Sequence, residues 1–262
     1  MKIISFGTLK GGTSKTTTTF NTSAILAERG YKVLAIDVDP QANLTTNFGL
    51  DETVEGFKSV QDIFEDKESD IESIVYRKPI EELGTLDVIP SCIMLTSTEM
   101  RLVGMAAREN TLRNYITRNK GFFGAYDYIL IDTNPSMSIV NQNAFAVSDF
   151  ICLTNTIGMN SFKGTQLFMA LWEDIAESLG LKNNIKGLLV TQYDKRTNLS
   201  GQFLDFLKDL NYVQSILFDT IIPINIRLAE SELENKPINL YDKTCTGYKA
   251  YNQFVDELIE RL

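Results

Sequence analysis

Eight consecutive residues near the start of the chain, Lys10 to Thr17, include two glycines, two lysines and four hydroxyl side chains. They follow a short apolar run over 3–6 and open a helical pattern that continues to Arg29. A glycine-rich turn between a strand and a helix directs backbone N–H groups and the positive end of the helix dipole at one point, and that arrangement binds phosphate. In such a turn Lys15 reaches the terminal phosphates, and the Thr16 hydroxyl ligates Mg²⁺.

The glycine positions of this segment are unusual. The ordinary phosphate loop, G-x-x-x-x-G-K-[ST], has two glycines, whereas Leu9 and Ser14 stand at those positions here. The segment fits K-G-G-x-x-K-[ST], a deviant form with a second lysine, Lys10, inside the loop. An ordinary Gly-Gly turn with solvated lysines is the alternative interpretation. We predict that the nucleotide contacts Lys10, Gly11, Gly12, Thr13, Ser14, Lys15, Thr16 and Thr17.

Two further apolar runs end in aspartate. One ends at Asp37, with Asp39 two residues later, and the other ends at Asp132. The C-terminal ends of parallel strands lie together at one edge of a sheet, where ligands bind. We therefore expect Lys15, Asp39 and Asp132 to meet at one nucleotide although they are far apart in sequence. Thr16, Asp37 and Asp132 are the predicted metal-side residues.

Several segments together resemble the ParA/Soj family of partition ATPases, within the ParA/MinD group that has a deviant Walker A loop. The resemblance rests first on K-G-G-T-S-K-T-T and D-V-D-P-Q-A-N, and it runs from Met1 to about Tyr251. Later segments that separate the Soj-like branch from its relatives are 194–199, 225–230 and 236–242. The family usually has glycine where Ser14 stands, and Cys-Pro-Pro where this chain has Thr133-Asn134-Pro135.

The resemblance implies a P-loop NTPase that uses ATP and Mg²⁺ and hydrolyses ATP to ADP and phosphate. Asp39 occupies the family position that orients or activates the attacking water, and a turn aspartate before Pro40 is the alternative. Lys10 occupies the position that crosses to the phosphates of the other subunit in an ATP-dependent homodimer. We therefore expect Lys10, Lys15 and Asp39 to be the catalytic residues.

By the same resemblance, Arg196 and Arg227 match positions through which Soj-like proteins bind double-stranded DNA without sequence preference. Nearby lysines at 195, 236, 243 and 249 would widen this patch. The net charge of −9 supports the alternative, ordinary surface arginines. The implied function is partition of plasmid or chromosomal DNA. A ParB-like centromere-binding protein would stimulate hydrolysis, which releases the DNA.

Two other functions compete with partition. A MinD-like ATPase cycles on a membrane through a basic amphipathic C-terminal helix, but the polar residues of 251–262 are mostly acidic and anionic lipid would repel them. We therefore expect no membrane partner. A redox enzyme of the nitrogenase iron-protein type needs cysteines that bridge a cluster between subunits, and Cys92 and Cys152 lack a matching sequence context.

The composition excludes several kinds of chemistry. The chain has no histidine, so histidine-based triads and histidine-ligated zinc are excluded. Its three cysteines form no CxxC pair, which argues against a metal or disulfide framework. No apolar run reaches about 18 residues and no signal peptide pattern opens the chain. We therefore expect a cytoplasmic protein that associates with the nucleoid when ATP is bound, without an N-terminal helix-turn-helix domain.

Apolar runs alternate with helical patterns along the whole chain, which is typical of an α/β fold with a doubly wound, mostly parallel sheet. We predict a single ParA-type domain over 1–262, with strands near 2–6, 32–37, 86–89, 127–132, 150–154, 186–191 and 217–222. The predicted helices are near 15–29, 59–66, 97–119, 138–147, 162–179, 200–210, 227–233 and 246–261. The apolar stripe of the helix over 162–179, which includes Leu167, Phe168, Leu171 and Trp172, is expected to pack in the core.

Overall fold

The strands form one eight-stranded sheet. The computed structural model describes residues 1–262. The strands are β1 (Lys2–Gly7), β2 (Val33–Asp37), β3 (Tyr76–Arg77), β4 (Leu86–Ile89), β5 (Tyr128–Asp132), β6 (Phe150–Thr156), β7 (Ile185–Tyr193) and β8 (Leu217–Pro223). Their order is β3-β4-β2-β5-β1-β6-β7-β8, and only the β3–β4 pair is antiparallel. The predicted α/β fold is confirmed. All seven predicted strands are present, and the sequence pattern misses only the two-residue edge strand β3.

Helices cover both faces of this sheet. They are α1 (Lys15–Glu28), α2 (Asn43–Asn47), α3 (Val60–Glu65), α4 (Ile71–Ile74), α5 (Leu95–Leu102), α6 (Thr111–Arg118), α7 (Lys120–Phe123), α8 (Ile139–Val147), α9 (Met159–Ser178), α10 (Asn198–Lys208), α11 (Asn211–Gln214), α12 (Ile226–Leu233), α13 (Ile238–Tyr241) and α14 (Thr246–Arg261). A 3₁₀ turn covers Arg108–Asn110.

The continuous helix predicted over 97–119 is wrong. The segment divides into α5, the 3₁₀ turn and α6, with a turn at Gly104 between the first two. Ala107 has a φ of 52°, in the left-handed region that a right-handed helix excludes. The shorter pieces let α6 pack against α8 while α5 packs against α3.

Strand β1 shows how the two faces of the sheet are built. Successive side chains of a strand point to opposite faces. Accordingly, Ile4 packs in the cluster that contains Ala24 of α1 and Phe254 of α14, whereas Ile3 packs in the cluster that contains Ala144 of α8. Burial on both faces explains why the central strands read as continuous apolar runs rather than alternating ones.

The apolar stripe predicted on α9 is only half buried. Phe168 and Trp172 are fully buried against the sheet. Leu167 is 54% exposed and Leu171 is 37% exposed, so the prediction that they lie in the core is wrong. Only one face of α9 is covered, at about one buried residue per turn: Ser161, Phe162, Thr165, Phe168, Trp172 and Ala176.

Parallel topology brings the loops after β1, β2, β5, β7 and β8 to one edge of the sheet. Asp37 and Asp132, the last residues of β2 and β5, are register partners in adjacent strands. Strand β1 lies on the other side of β5 and leads directly into the loop at 8–14. The fold therefore places the predicted loop and both strand-end aspartates side by side.

Candidate nucleotide site

The loop between β1 and α1 exposes a run of unbonded backbone donors. The amides of residues 11–17 donate no hydrogen bond to any group of the chain, and the regular helical pattern resumes with Thr18, whose amide donates to the Ser14 carbonyl at 2.9 Å. The first amides of any helix lack an intrahelical acceptor. Here the loop adds its own amides to them, which makes a site suited to several phosphate oxygens.

Two side chains near the end of β7 hold carbonyl groups of this loop. Gln192, at the end of β7, donates from Nε2 to the Gly12 carbonyl at 2.7 Å and to Ser14 Oγ at 3.1 Å. The Thr191 hydroxyl donates to the Thr13 carbonyl at 3.0 Å. These bonds tie the loop to β7 and support its conformation without a ligand. The sequence analysis misses Gln192, which lies 178 residues away from Ser14 along the chain.

Ser14 explains why a glycine is usual at its position. It has φ 64° and ψ 29°, in the left-handed region, where a non-glycine residue costs about 1 kcal/mol. The residue is the N-cap of α1, yet its side chain caps no helix amide. Its hydroxyl instead accepts the bond from Gln192. The serine at this position therefore gives β7 one extra contact with the loop.

Lys15 and the predicted metal-side residues lie together at the start of α1. The Thr16 hydroxyl donates to Asp132 Oδ2 at 2.6 Å, and the Thr19 hydroxyl donates to Asp132 Oδ1 at 3.2 Å. Lys15 is only 7% exposed. Burial lowers the pKa of its ammonium group, and Asp132 and Asp39 oppose that shift. A lysine held among acids at a phosphate site suits a ligand that brings its own negative charge.

Asp37 and Asp132 form a pair of neighbouring buried acids. Burial raises the pKa of each carboxyl, and the charge of Asp132 raises that of Asp37 further. Both Asp37 oxygens accept hydrogen bonds: Oδ1 from the Asp39 amide at 3.0 Å, and Oδ2 from the amide and hydroxyl of Thr45. These bonds hold the segment after β2 against the end of that strand. Asp132 instead accepts its hydrogen bond from the Thr16 hydroxyl, and both groups supply oxygen ligands of the kind that Mg²⁺ prefers.

Asp39 lies across the cavity from the phosphate loop. Its Oδ1 accepts from the Gln41 amide at 2.9 Å, the bond of an ordinary aspartate turn before Pro40. Burial raises the pKa of its carboxyl, and Lys15 opposes the shift. Both the catalytic interpretation and the turn interpretation of Asp39 are therefore compatible with its contacts, since its other oxygen has no bonded partner in the chain.

The loop and Asp39 line a cavity of about 400 Å³. Apart from Pro135 its walls are polar or charged, as expected for a ligand of phosphates and metal rather than an apolar one. The lining residues are Gly11, Gly12, Thr13, Ser14, Lys15, Thr16, Thr17, Asp39, Gln41, Asn43, Pro135 and Gln192. A second cavity, of about 290 Å³, adjoins it and shares Ser14, Thr17 and Gln192.

Lys10 lies outside this cavity. Its side chain is exposed, and Lys10 Cβ lies beside Gly164 of α9. Its ammonium makes no ion pair or hydrogen bond within the chain. The two loop lysines therefore differ: Lys15 is buried among the acids, and Lys10 faces outward.

The two predicted DNA-binding arginines lie at the same edge of the sheet, beyond β7 and β8. The Ile224 amide donates to the Tyr193 carbonyl, which ties the two loops together. Arg196 forms a two-pronged ion pair with Asp194, both contacts at 2.8 Å. Arg227 pairs with Glu230 at 2.8 Å. Each guanidinium is thus exposed but already paired with an acid of its own loop or helix.

Comparison with known proteins identifies the family. A family model described as an AAA domain matches residues 1–187. The chain is 34% identical to the sporulation initiation inhibitor protein Soj of Bacillus subtilis, over 98% of each chain. It is 32% identical to the chromosome partitioning protein ParA of Caulobacter vibrioides, over 100% of this chain and 95% of the relative.

The chain belongs to the Soj/ParA family of P-loop ATPases. The predicted resemblance and the predicted ATPase activity are thereby confirmed. Solved structures at lower identity share the Soj/ParA fold. A plasmid partition protein of Borrelia burgdorferi bound to AMPPNP has a TM-score of 0.78 at 24% identity, over 100% of this chain and 99% of that one. The septum site-determining protein MinD of Pyrococcus horikoshii, complexed with Mg-ADP, has a TM-score of 0.75 at 24% identity, over 98% and 95%.

Proposed function

We propose that this protein is an ATP-dependent DNA-partition switch. In this account it binds ATP and Mg²⁺, dimerises around the nucleotide and binds DNA without sequence preference. Hydrolysis, stimulated by a ParB-like partner, then releases the DNA. The observation that carries the proposal is the set of unbonded amides at 11–17, with buried Lys15 and the Thr16–Asp132 pair beside it.

ATP and Mg²⁺ fit this donor set. The loop amides and the Lys15 ammonium would neutralise the phosphates. The Thr16 hydroxyl and the Asp132 carboxylate supply the oxygen ligands that suit Mg²⁺, which keeps several waters of its own. Mg²⁺ bound there would neutralise charge on the β- and γ-phosphates. Asp39 would hold the attacking water through its unbonded carboxylate oxygen. Asp37 would act through the loop, because its bonds to Asp39 and Thr45 position the Asp39 backbone.

The position of Lys10 supports dimerisation around ATP. Its ammonium is exposed and unpaired. It lies near the rim of a site whose proposed ligand, ATP, carries several negative charges. In a face-to-face homodimer it would reach the γ-phosphate of the other subunit, so ATP itself would form part of the interface. ADP lacks that phosphate, and hydrolysis would therefore loosen the dimer.

DNA binding rests on Arg196 and Arg227 at the β7–β8 edge. Both are exposed, with side-chain exposures of 80% and 51%. DNA phosphates would compete with Asp194 and Glu230 for these guanidinium groups, which predicts modest affinity that falls steeply with salt. Dimerisation doubles the number of contacts, so ATP binding would raise the affinity. In this model the ATP-bound protein associates with the nucleoid in the cytoplasm.

The membrane-cycling alternative would need an available apolar face on the C-terminal helix α14, and α14 has none. Tyr251, Phe254, Val255 and Leu258 on α14 are all fully buried against the sheet and α1. A helix that anchors to lipid must turn such a face outward. No helix of the protein combines the length and apolar character needed to cross a membrane.

Mobility-shift titrations with ATP, ADP and no nucleotide test the DNA proposal. Wild type with ATP should bind unrelated duplexes about equally, because phosphate contacts carry no base information. Arg196→Glu and Arg227→Glu should weaken binding uniformly and flatten the dependence on salt, while Lys182→Glu, on the exposed segment before β7, should have little effect. If wild type with ATP ignores DNA at low salt, or if both arginine variants bind as well as wild type, the proposed DNA surface is wrong.

A further inference from the structure

A second cavity, next to the phosphate site, has the mixed character of a nucleoside pocket. It lies between the first turn of α1, the end of β8 and helix α12. Pro223, Ile224 and Leu228 give it apolar walls. Because it shares Ser14, Thr17 and Gln192 with the phosphate site, a nucleotide whose phosphates lie on the loop would place its nucleoside here. This step rests on the proposed function.

One acidic side chain in this cavity has an unbonded oxygen. Glu232 Oε1 is buried and has no hydrogen-bond partner. Burial raises the pKa of the Glu232 carboxyl, and the Thr17 hydroxyl opposes the shift. A buried carboxylate oxygen without a donor costs free energy, and a ligand that supplies the donor recovers that cost. The position therefore favours a ligand that places an N–H or O–H group within hydrogen-bond distance of Glu232 Oε1.

Three other polar side chains of the cavity already have partners. The Tyr251 hydroxyl lies 3.1 Å from the Thr18 hydroxyl. Asn225 donates to Thr246 at 2.8 Å and accepts from the Arg227 amide at 2.8 Å. Gln192 donates to the phosphate loop. Glu232 is thus the carboxylate of this cavity that is available to a ligand.

We propose that Glu232 accepts a hydrogen bond from the nucleoside of bound ATP and so determines nucleoside specificity. The donor is an N–H or O–H group, and adenosine offers two sources: the exocyclic amine of the base and the hydroxyls of the ribose. Guanine carries a carbonyl oxygen where adenine carries the amine, so an amine contact would also make the carboxylate repel GTP. A site built around such a contact rejects the ligand that lacks the donor, because its buried group is left unpaired.

Binding of ATP analogues to the full-length protein tests this inference. The probes are ATP, GTP, purine riboside triphosphate, which lacks the amine, and the 2′-deoxy and 3′-deoxy forms of ATP, each measured by titration calorimetry with Mg²⁺. The variants are Glu232→Ala and Glu232→Gln. Glu234→Ala is the matched control, since Glu234 is an exposed acid two residues along the same segment.

Wild type and Glu234→Ala should bind at least one analogue about tenfold more weakly than ATP, as expected for the loss of one hydrogen bond to a charged acceptor. Glu232→Ala should abolish that difference, and the analogue affected identifies the donor. Glu232→Gln, which keeps a carbonyl acceptor, should restore part of it. A Glu232 variant whose affinity for each analogue, relative to ATP, equals that of wild type overturns the role of Glu232. If wild type fails to bind ATP at all, it is instead the proposed function that fails.

Discussion

The Thr16 hydroxyl donates a 2.6 Å hydrogen bond to the Asp132 carboxylate, which joins the first turn of α1 to the end of β5. Asp132 is also the register partner of Asp37 in the adjacent strand. The start of the phosphate-loop helix and two strand ends are therefore connected through one carboxylate. That carboxylate is buried and its pKa is raised, so its charge state depends on what binds beside it.

The stability of the free protein should decrease as pH rises from about 5 to about 8. Asp37 and Asp132 have folded-state pKa values above the ordinary value of 3.8, so the folded chain holds more protons in this range than the unfolded chain. With no histidine in the chain, no imidazole titration overlaps the range. Urea unfolding at the two pH values measures the change.

Asp132→Asn should reduce this pH dependence, whatever it does to the absolute stability. Adding ATP and Mg²⁺ should also diminish it, because positive charge next to Asp132 favours the carboxylate. Stability that rises with pH over this range would contradict the assignment of protonated acids at the site.

Lys15→Ala should lower ATP affinity by about 10²-fold or more, since hydrogen bonds to charged groups are worth about 1.5–3 kcal/mol each. Lys15 is the one buried ammonium on the phosphate loop. The matched control is Lys182→Ala, which removes an exposed lysine far along the chain. Calorimetric titration with ATP and Mg²⁺ gives both affinities, and a Lys15 variant that binds normally would disprove the phosphate-loop assignment.

Lys10→Ala should bind ATP about as well as wild type and yet remain a monomer. Its side chain contributes nothing to the cavity of its own subunit, and the missing ammonium acts across the interface. Light scattering after size-exclusion chromatography, with a slowly hydrolysed ATP analogue, measures the mass. The mutual-lysine model requires that this variant fail to dimerise under conditions in which Lys182→Ala dimerises.

Gln192→Ala should weaken ATP binding by about tenfold without unfolding the protein. The substitution frees the Gly12 carbonyl and the Ser14 hydroxyl, and the loop must then be ordered when the ligand binds. Gln202→Ala, at an exposed position of α10, is the matched control. An unchanged affinity would mean that the loop keeps its conformation without β7.

Some features of the site could be predicted from the sequence because they depend on local pattern. Continuous apolar runs identify the strands, and the rule for parallel sheets brings Lys15, Asp39 and Asp132 to one edge. Gln192 and Glu232 could not be predicted, because only the fold brings the ends of β7 and α12 beside residues 11–17. The break near Gly104 was hidden by an apolar pattern that continues through two separate helices.

The proposed DNA-binding residues show another limit of sequence reasoning. A motif identifies Arg196 and Arg227, but it does not reveal that Asp194 and Glu230 already pair with them. Whether an exposed arginine is available depends on its neighbours in space. Here the nearest acids are two and three residues away in sequence, a spacing that many solvent-facing loops share.

The most direct test of the ATP switch is the mass and ATP turnover of Asp39→Ala with ATP and Mg²⁺, compared with wild type. Asp39 lines the cavity and keeps one carboxylate oxygen free of bonds within the chain. The account predicts that the variant binds ATP, forms a lasting dimer and hydrolyses ATP at least about 10²-fold more slowly than wild type, the size of a lost general-base contribution. With ADP both proteins should be monomers. An Asp39→Ala protein that hydrolyses ATP at the wild-type rate, or that stays monomeric with ATP bound, would contradict the account.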